Sequence, residues 1–461
     1  MRGGAAGTSL TMHFYLPDLA ARPVPRYTSY PTAAEFHDGV DAADQAAALG
    51  AIAPDAPVSL YVHIPYCHRI CWYCGCNTGA IGRAERLDAY VDALEREVEA
   101  VAGRMRGRVV SIHFGGGSPN ALTPAQFGRL IAMLRARFAG AADAEIAVEL
   151  DPRALDPAFI AAMGQAGVAR ASLGVQTFAE PVQRRINRIQ PYEMVAAAVA
   201  GLRAAGIAHV NLDLMIGLPG QSEEDVAESI RLALALAPDR VAMFGYGHNP
   251  GLLPRQRMID PRDLPDAEAR FRQSALAHDL LVAAGYRAIG FDHFARPEDS
   301  LAVAAAEGRL RRNFQGFTDE PGEAVIGIGA SAISQFPGLL VQNEKHVARW
   351  RSRVAETGLA GVRGIARSAD ARLRGAIMER LLCDGRVDMA AVARARGLAP
   401  ERLIGIRPRL AALEARGVIA IEGWRVTLAP WGWPYARLVA AALDMHRTIE
   451  IAESPGLAMA G

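Results

Sequence analysis

Four of the five cysteines fall in one ten-residue stretch, Cys67, Cys71, Cys74 and Cys76, with Cys383 far away. Such clustering is not a disulfide framework, since bridges that stabilise a fold close long loops. It reads as a metal or redox site in a reducing compartment. Within YCHRICWYCGC the spacing C-x3-C-x2-C puts three thiolates on one loop, enough to hold three corners of a four-iron four-sulfur cube. The fourth iron is then left without a protein ligand, and an exchangeable position is what lets a small molecule bind and react. The competing reading is structural zinc. Tetrahedral zinc usually draws two ligand pairs from separate turns, whereas a single residue separates Cys76 from Cys74 and no second Cys or His pair at zinc spacing follows.

A reactive loop needs a rigid support. From about residue 58, short β-rich runs alternate with longer segments of helical periodicity, the pattern of βα units around a parallel sheet. The predicted strands are VSLYVHIP (58–65), VVSIHFGGG (109–117), EIAVELDP (145–152), RASLGVQT (170–177), HVNLDLMIGLP (209–219), RVAMFGYGH (240–248) and YRAIGFDHF (286–294). Between them lie helices such as 83–102, where Leu87, Val91, Leu94 and Val98 share one face. Six or seven such units predict an α/β fold, a partial or open barrel of the TIM type. Polar or glycine residues gather at the C-terminal strand ends, namely Gly115, Gly116, Gly117 and Ser118, then Glu149 and Asp151, Gln176, Asp213, and residues 246–248. In a parallel barrel these ends form the mouth where ligands bind.

Length and charge bound the rest. A chain of 461 residues allows about three domains, and we divide it into an N-terminal extension (1–57), the barrel (58–345) and a small, mostly helical, winged-helix-like domain (346–461). Half of the residues are hydrophobic, an ordinary globular balance. Lys plus Arg is 50 against 49 for Asp plus Glu, so net charge gives no case for nucleic acid or an anionic membrane as partner. The first residues lack the unbroken apolar stretch of a signal peptide, and no run of 18 or more apolar residues occurs, so the expected location is the cytoplasm. A monomer is the default expectation. Lys345 is the only lysine, which leaves nearly all anion binding to arginine.

The cysteine spacing, with the aromatic Tyr73 before its last member and a GGG tract ending the next strand, resembles the radical S-adenosylmethionine (SAM) superfamily. The tracts RYTSYPT (26–32), YVHIPYCHRICWYCGC (61–76), FGGGSPN (114–120), DPR (151–153), NLDLMIGLP (211–219), DHFARP (292–297) and NFQGFT (313–318) resemble the oxygen-independent coproporphyrinogen III oxidase family over nearly the whole chain. It departs from the usual pattern at Ser118, where threonine is frequent, and at Gly247, where alanine is.

The resemblance implies one 4Fe–4S cluster on Cys67, Cys71 and Cys74, with Cys76 a family hallmark that is not a ligand. It implies two SAM molecules. Tyr61, Gly116, Glu149 and Ile333 match contacts of the cluster-bound one, and Tyr73, Gly117, Ser118, Gln176, Arg188, Asp213 and Gly247 those of the second. Tyr61, Phe314 and Gln315 match residues near the reacting centre. The implied reaction converts two propionates of coproporphyrinogen III to vinyl groups, giving protoporphyrinogen IX in haem biosynthesis without oxygen, with an electron donor and a terminal acceptor as further partners. Arg26, Arg296, Arg311 and Arg312 are the expected propionate anchors, and Cys383 is expected to be a small buried apolar residue. Two rivals remain: a haem chaperone of the same superfamily without decarboxylase activity, and a regulator using the winged-helix domain and a redox-sensing cluster.

Overall fold

In the computed structural model, which describes residues 13–447, the alternating pattern becomes one twelve-stranded sheet. Its strands in chain order are β1 (Pro57–Ile64), β2 (Arg108–Gly116), β3 (Glu145–Leu150), β4 (Arg170–Gln176), β5 (His209–Ile216), β6 (Arg240–Gly245), β7 (Arg287–Ile289), β8 (His293–Ala295), β9 (Ala324–Ile328), β10 (Ile333–Gln335), β11 (Leu339–Asn343) and β12 (Gly361–Ala366). In space they run β12-β11-β10-β9-β1-β2-β3-β4-β5-β6-β8-β7. The central strands, β9 and β1 through β6, are parallel, so their C-terminal ends lie along one rim. Antiparallel strands extend both flanks. The architecture is the expected open α/β barrel. The expected absence of a leader concerns chiefly residues 1–12, which lie outside the described residues.

Helices follow the parallel strands and close the outer layer. Thr123 with Gln126 and Ser222 with Asp225 form capping boxes that satisfy the first backbone N–H groups of the helices they start. The helix Ala84–Ala102 buries Leu87, Val91, Leu94 and Val98, as their spacing predicts. It also buries Glu97 completely. Gly329 N–H (2.6 Å), Asn343 Nδ2 (2.7 Å) and Trp350 Nε1 (3.2 Å) all donate to that carboxylate and tie the helix to the loop after β9, the end of β11 and the helix Val347–Thr357.

Three features differ from the sequence reading. Residues 286–294 are not one strand but the hairpin β7–β8, antiparallel to β6, because Gly290 turns at φ +60° where a Cβ would strike the Phe317 ring at 2.0 Å. The remaining parallel position is filled by β9, a five-residue buried run whose shortness and flanking glycines hide its type. Past residue 345, where only helices and a wing are expected, β12 joins the main sheet.

A second core holds the C-terminal helices Ala369–Asp384, Met389–Ala395 and Arg407–Ala415 with a three-stranded sheet, one strand more than the expected wing. Leu16, Leu19, Tyr27 and Tyr30 belong to this core, while Leu49 and Ile52 belong to the barrel's. The first 57 residues thus have no core of their own. The Tyr435 hydroxyl fastens the arm: it donates to the Phe14 carbonyl (2.7 Å) and accepts from Leu16 N–H (2.8 Å). Among the described residues no helix is long and apolar enough to cross a membrane.

Candidate active site

The cysteine loop leaves the C-terminal end of β1 and lies across the mouth, over a cavity of about 530 Å³. Four bonds from two segments, 186–187 and 255–256, hold it: Trp72 N–H to the Ile186 carbonyl (3.0 Å), Asn187 Nδ2 to the Ile70 carbonyl (2.8 Å), Arg255 Nη2 to the Thr78 carbonyl (2.7 Å) and Gln256 Nε2 to the Tyr73 carbonyl (2.9 Å). Cys67 and Cys71 are buried, Cys74 is half-buried and Cys76 is exposed. All four border the cavity.

The sulfur surroundings are cationic. Arg153 Nη2 (3.2 Å) and Arg188 Nη1 (3.3 Å) donate to Cys71 Sγ, and Cys76 N–H donates to Cys74 Sγ (3.4 Å). The bond from the Cys76 thiol lowers Cys74 to about 6 against the opposing effect of burial, while burial lifts Cys67 to about 11. Among the described residues the one His/Cys/Asp/Glu group gathered within 4.8 Å, as a single ion requires, is His13, His278 and Asp279. The three loop sulfurs are spread wider than that. A donor set of three spaced thiols beside guanidinium groups fits an iron–sulfur cube and not tetrahedral zinc.

The glycine tract works chiefly by leaving space. A Cβ on Gly116, whose φ is +111°, would lie 2.5 Å from the His63 ring, and one on Gly117 would lie 2.5 Å from Thr78 Oγ1. Their amides are already occupied: Gly116 N–H donates to Glu149 Oε2 (3.2 Å) and Gly117 N–H to the Ile64 carbonyl (2.8 Å). His113 Nε2 meets Glu149 Oε1 at 3.0 Å. Burial acts to raise Glu149, but the His113 bond and charge together with the Gly116 amide hold it below its ordinary value.

Gln176, Arg188, Asp213, Tyr73 and Gly247 also line the cavity. Gln176 takes the left-handed φ of +69°. Arg188 is spent on the Gly174 carbonyl, Asp151 (3.4 Å) and Cys71, which leaves its buried Nε without a partner. Asp213 accepts from Ser172 Oγ (2.9 Å) and Asn211 Nδ2 (2.8 Å), yet burial pushes it up to about 6. Ser118 is not among the lining residues. It is 2% exposed and its hydroxyl donates to Asn120 Oδ1 (2.6 Å).

Tyr61 stands beside the cavity on β1. Its ring stacks on His113 (5.8 Å between centroids) and meets the Phe314 edge (4.9 Å), and its hydroxyl pairs with His63 Nδ1 (3.2 Å). Phe314 and Gln315 form the turn of the hairpin Arg311–Asn313/Gly316–Thr318, with Gln315 Nε2 buried and unpartnered. Ile333 opens β10, packed on Gly327, which pairs with Tyr61. Of the expected anchors, Arg26 borders the cavity and Arg312 abuts it through the Arg26 carbonyl (3.2 Å). Arg311 pairs instead with Glu379 (2.7 Å). Arg296 binds the Pro238 carbonyl (3.0 Å) at the opposite end of β6, because β8 runs antiparallel, so it is no anchor at the mouth.

His63, His113, Arg255 and Gln256 escape the sequence reading. The histidines carry a legible signal, since Tyr61 and His63 alternate onto one face of β1 and His113 pairs with Tyr61 in register. Arg255 and Gln256 sit in a short 3-10 turn with no periodic signature.

A family model for the radical SAM superfamily matches residues 61–233. The chain is 45% identical over 426 residues to the oxygen-independent coproporphyrinogen III oxidase of Bradyrhizobium diazoefficiens, covering 92% of this chain and 94% of that protein. It is 42% identical over 371 residues to the protein of the same name from Escherichia coli, covering 80% of each. The solved structure of Escherichia coli coproporphyrinogen III oxidase, a radical SAM enzyme, superposes with a TM-score of 0.88 at 36% identity, covering 92% of this chain and 98% of that one. With the cysteine loop seated on the rim of an open parallel barrel and this likeness running through nearly its whole length, the chain belongs to the oxygen-independent coproporphyrinogen III oxidase family of radical SAM enzymes.

Proposed function

We propose that this chain oxidatively decarboxylates two propionates of coproporphyrinogen III to vinyl groups, giving protoporphyrinogen IX in haem biosynthesis without oxygen. The observation that supports this most is the convergence of Cys67, Cys71 and Cys74 with Glu149, Gln176 and Asp213 on one cavity at the mouth of the sheet. A 4Fe–4S cluster held by Cys67, Cys71 and Cys74 would, with SAM, supply the one-electron radical chemistry that hydrogen removal from a propionate β-carbon and loss of carbon dioxide require.

The chain's own residues hold and orient. Cys67, Cys71 and Cys74 would ligate the cluster, and Arg153 and Arg188 temper the charge of Cys71. Glu149, kept ionised by His113, suits a SAM ammonium or ribose, with Tyr61, Gly116 and Ile333 beside it. A second SAM molecule is assigned to Tyr73, Gly117, Ser118, Gln176, Arg188, Asp213 and Gly247. Ser118 would act there by packing, since its hydroxyl is engaged with Asn120. Phe314, against Tyr61, and Gln315 would flank the reacting carbon. A monomer in the cytoplasm, with an electron donor and an acceptor, completes the reading. Haem delivery is not favoured, because the relatives that match most of this chain are named as oxidases.

The test is anaerobic incubation of the reconstituted protein with reductant, SAM and coproporphyrinogen III, with products separated by chromatography. One 5′-deoxyadenosine for each vinyl group formed is expected. Release of 5′-deoxyadenosine without any vinyl product would overturn the assignment.

A further inference from the structure

Beside the cavity, where β6 and β8 meet the last helices, arginines outnumber acids. Arg26 lies over the Phe244 ring (5.2 Å), Arg312 lies between Phe291 (4.9 Å) and Phe317 (4.5 Å), and Arg437 lies over Phe291 (5.5 Å). The acid among them is Asp292, and its Oδ1 is held by His293 Nδ1 at 2.6 Å. Among the described residues no salt bridge joins it to any of the three arginines, and the side chains of Arg26 and Arg437 donate no hydrogen bond. Arg312 gives one, to the Arg26 carbonyl.

Arg312 has the most buried unpartnered donors of the three. It is 8% exposed, yet its Nε and Nη1 have no partner. Buried donors are nearly always satisfied, and a charged one left open is costly enough to call for a missing acceptor. A planar guanidinium with two free N–H groups matches a carboxylate. The surroundings add a shape requirement. Phe291 touches Phe317 edge to face (5.6 Å), and His293 bridges Phe317 (5.4 Å) to Phe244 (5.6 Å). This aromatic wall runs into the cavity, which Phe244 and Arg26 both line.

A wall of rings edged by unpaired guanidinium groups fits an apolar macrocycle that carries carboxylates on its rim. We infer that Arg312, Arg437 and Arg26 clamp a propionate of the tetrapyrrole other than the one reacting, with Phe244, Phe291 and Phe317 taking the edge of the ring. This inference rests on the proposed substrate. It assigns to Arg437, on the last described helix, a specificity role that makes the C-terminal segment part of the substrate site.

The test is equilibrium binding of coproporphyrin III, followed by porphyrin fluorescence, to the full-length protein and to R437Q, R437K and R312Q. Coproporphyrin III tetramethyl ester, which lacks the carboxylates, is run in parallel. R437Q should bind the free acid at least tenfold more weakly than wild type, about 1.4 kcal/mol, R437K should recover part of the loss, and the ester should bind all proteins alike. Arg437 is half-buried and its side chain makes no hydrogen bond among the described residues, so R437Q should melt like wild type and answer the question even where R312Q folds poorly. Free-acid affinity in R437Q within twofold of wild type would overturn the clamp, as would an ester that loses as much affinity as the acid. If wild type forms no vinyl product, the proposed reaction fails. If it forms product while R437Q binds the acid normally, only the clamp fails.

Discussion

Single residues decide whether the mouth can hold its chemistry, and Gly116 is the most exacting. Its φ of +111° belongs to a region that L side chains rarely adopt, and the His63 ring fills the place of a Cβ. Gly116→Ala should therefore lower stability by about 2–3 kcal/mol, read from the denaturant midpoint. It should also lower activity by more than the loss of folded protein accounts for, since the displaced ring and amide hold Tyr61 and Glu149. A variant with the wild-type midpoint would show that the tract tolerates a side chain. At this scale the sequence is informative where spacing itself suits a chemistry: three thiols so placed on one loop can hold three corners of a cube, and the resemblance implies that they do. It is silent on Gln256, whose bond to the Tyr73 carbonyl spans 183 positions, and on Arg437, which stands in an alanine-rich helix.

The elements are joined by polar contacts as well as by apolar faces, and the helix Ala84–Ala102 shows the cost. Glu97 is fully buried, and burial raises it to about 7 although three donors favour its ionised form. A folded-state value above the unfolded 4.5 means that the native state holds the extra proton between those limits. This contribution is greatest below pH 4.5 and is lost as pH rises towards 7, a fall of roughly 3 kcal/mol. Glu97→Gln should be less stable overall, because its amide meets N–H donors, and should lack that segment of the pH slope. Chemical denaturation of both proteins from pH 4.5 to 7.5 provides the comparison, and parallel profiles would contradict the assignment. The barrel is legible in the sequence because period-two and period-3.6 segments alternate over long stretches. The strand β9 and the hairpin β7–β8 are not, since five buried residues between glycines carry no period and a turn at Gly290 interrupts an apparent strand.

At the scale of the whole molecule, the two ends of the described chain meet. The arm is bound to the C-terminal core by Leu16, Leu19, Tyr27 and Tyr30, by paired bonds from Arg416 to Asp18 (both 2.7 Å) and by Tyr435. Tyr435→Phe removes both hydrogen bonds of the hydroxyl, to the Phe14 carbonyl and from Leu16 N–H, and leaves that N–H buried without an acceptor, which should cost about 1–3 kcal/mol. Limited proteolysis should then cut within residues 13–30 faster than in wild type, and an unchanged digestion rate would argue against this fastening. Composition alone could not foresee the pairing, because the arm has no periodicity and its partners come some four hundred positions later.

That closure has a consequence for synthesis. Arg26 leaves the ribosome early, whereas its neighbour Arg437 follows roughly 400 residues later, a delay of about 20 to 80 seconds at ordinary elongation rates. Within that interval the cysteine loop is complete once residue 76 has been made, about 360 residues before Arg437. The surroundings of Arg26 are completed only when the last described helix, which carries Arg437, has been made.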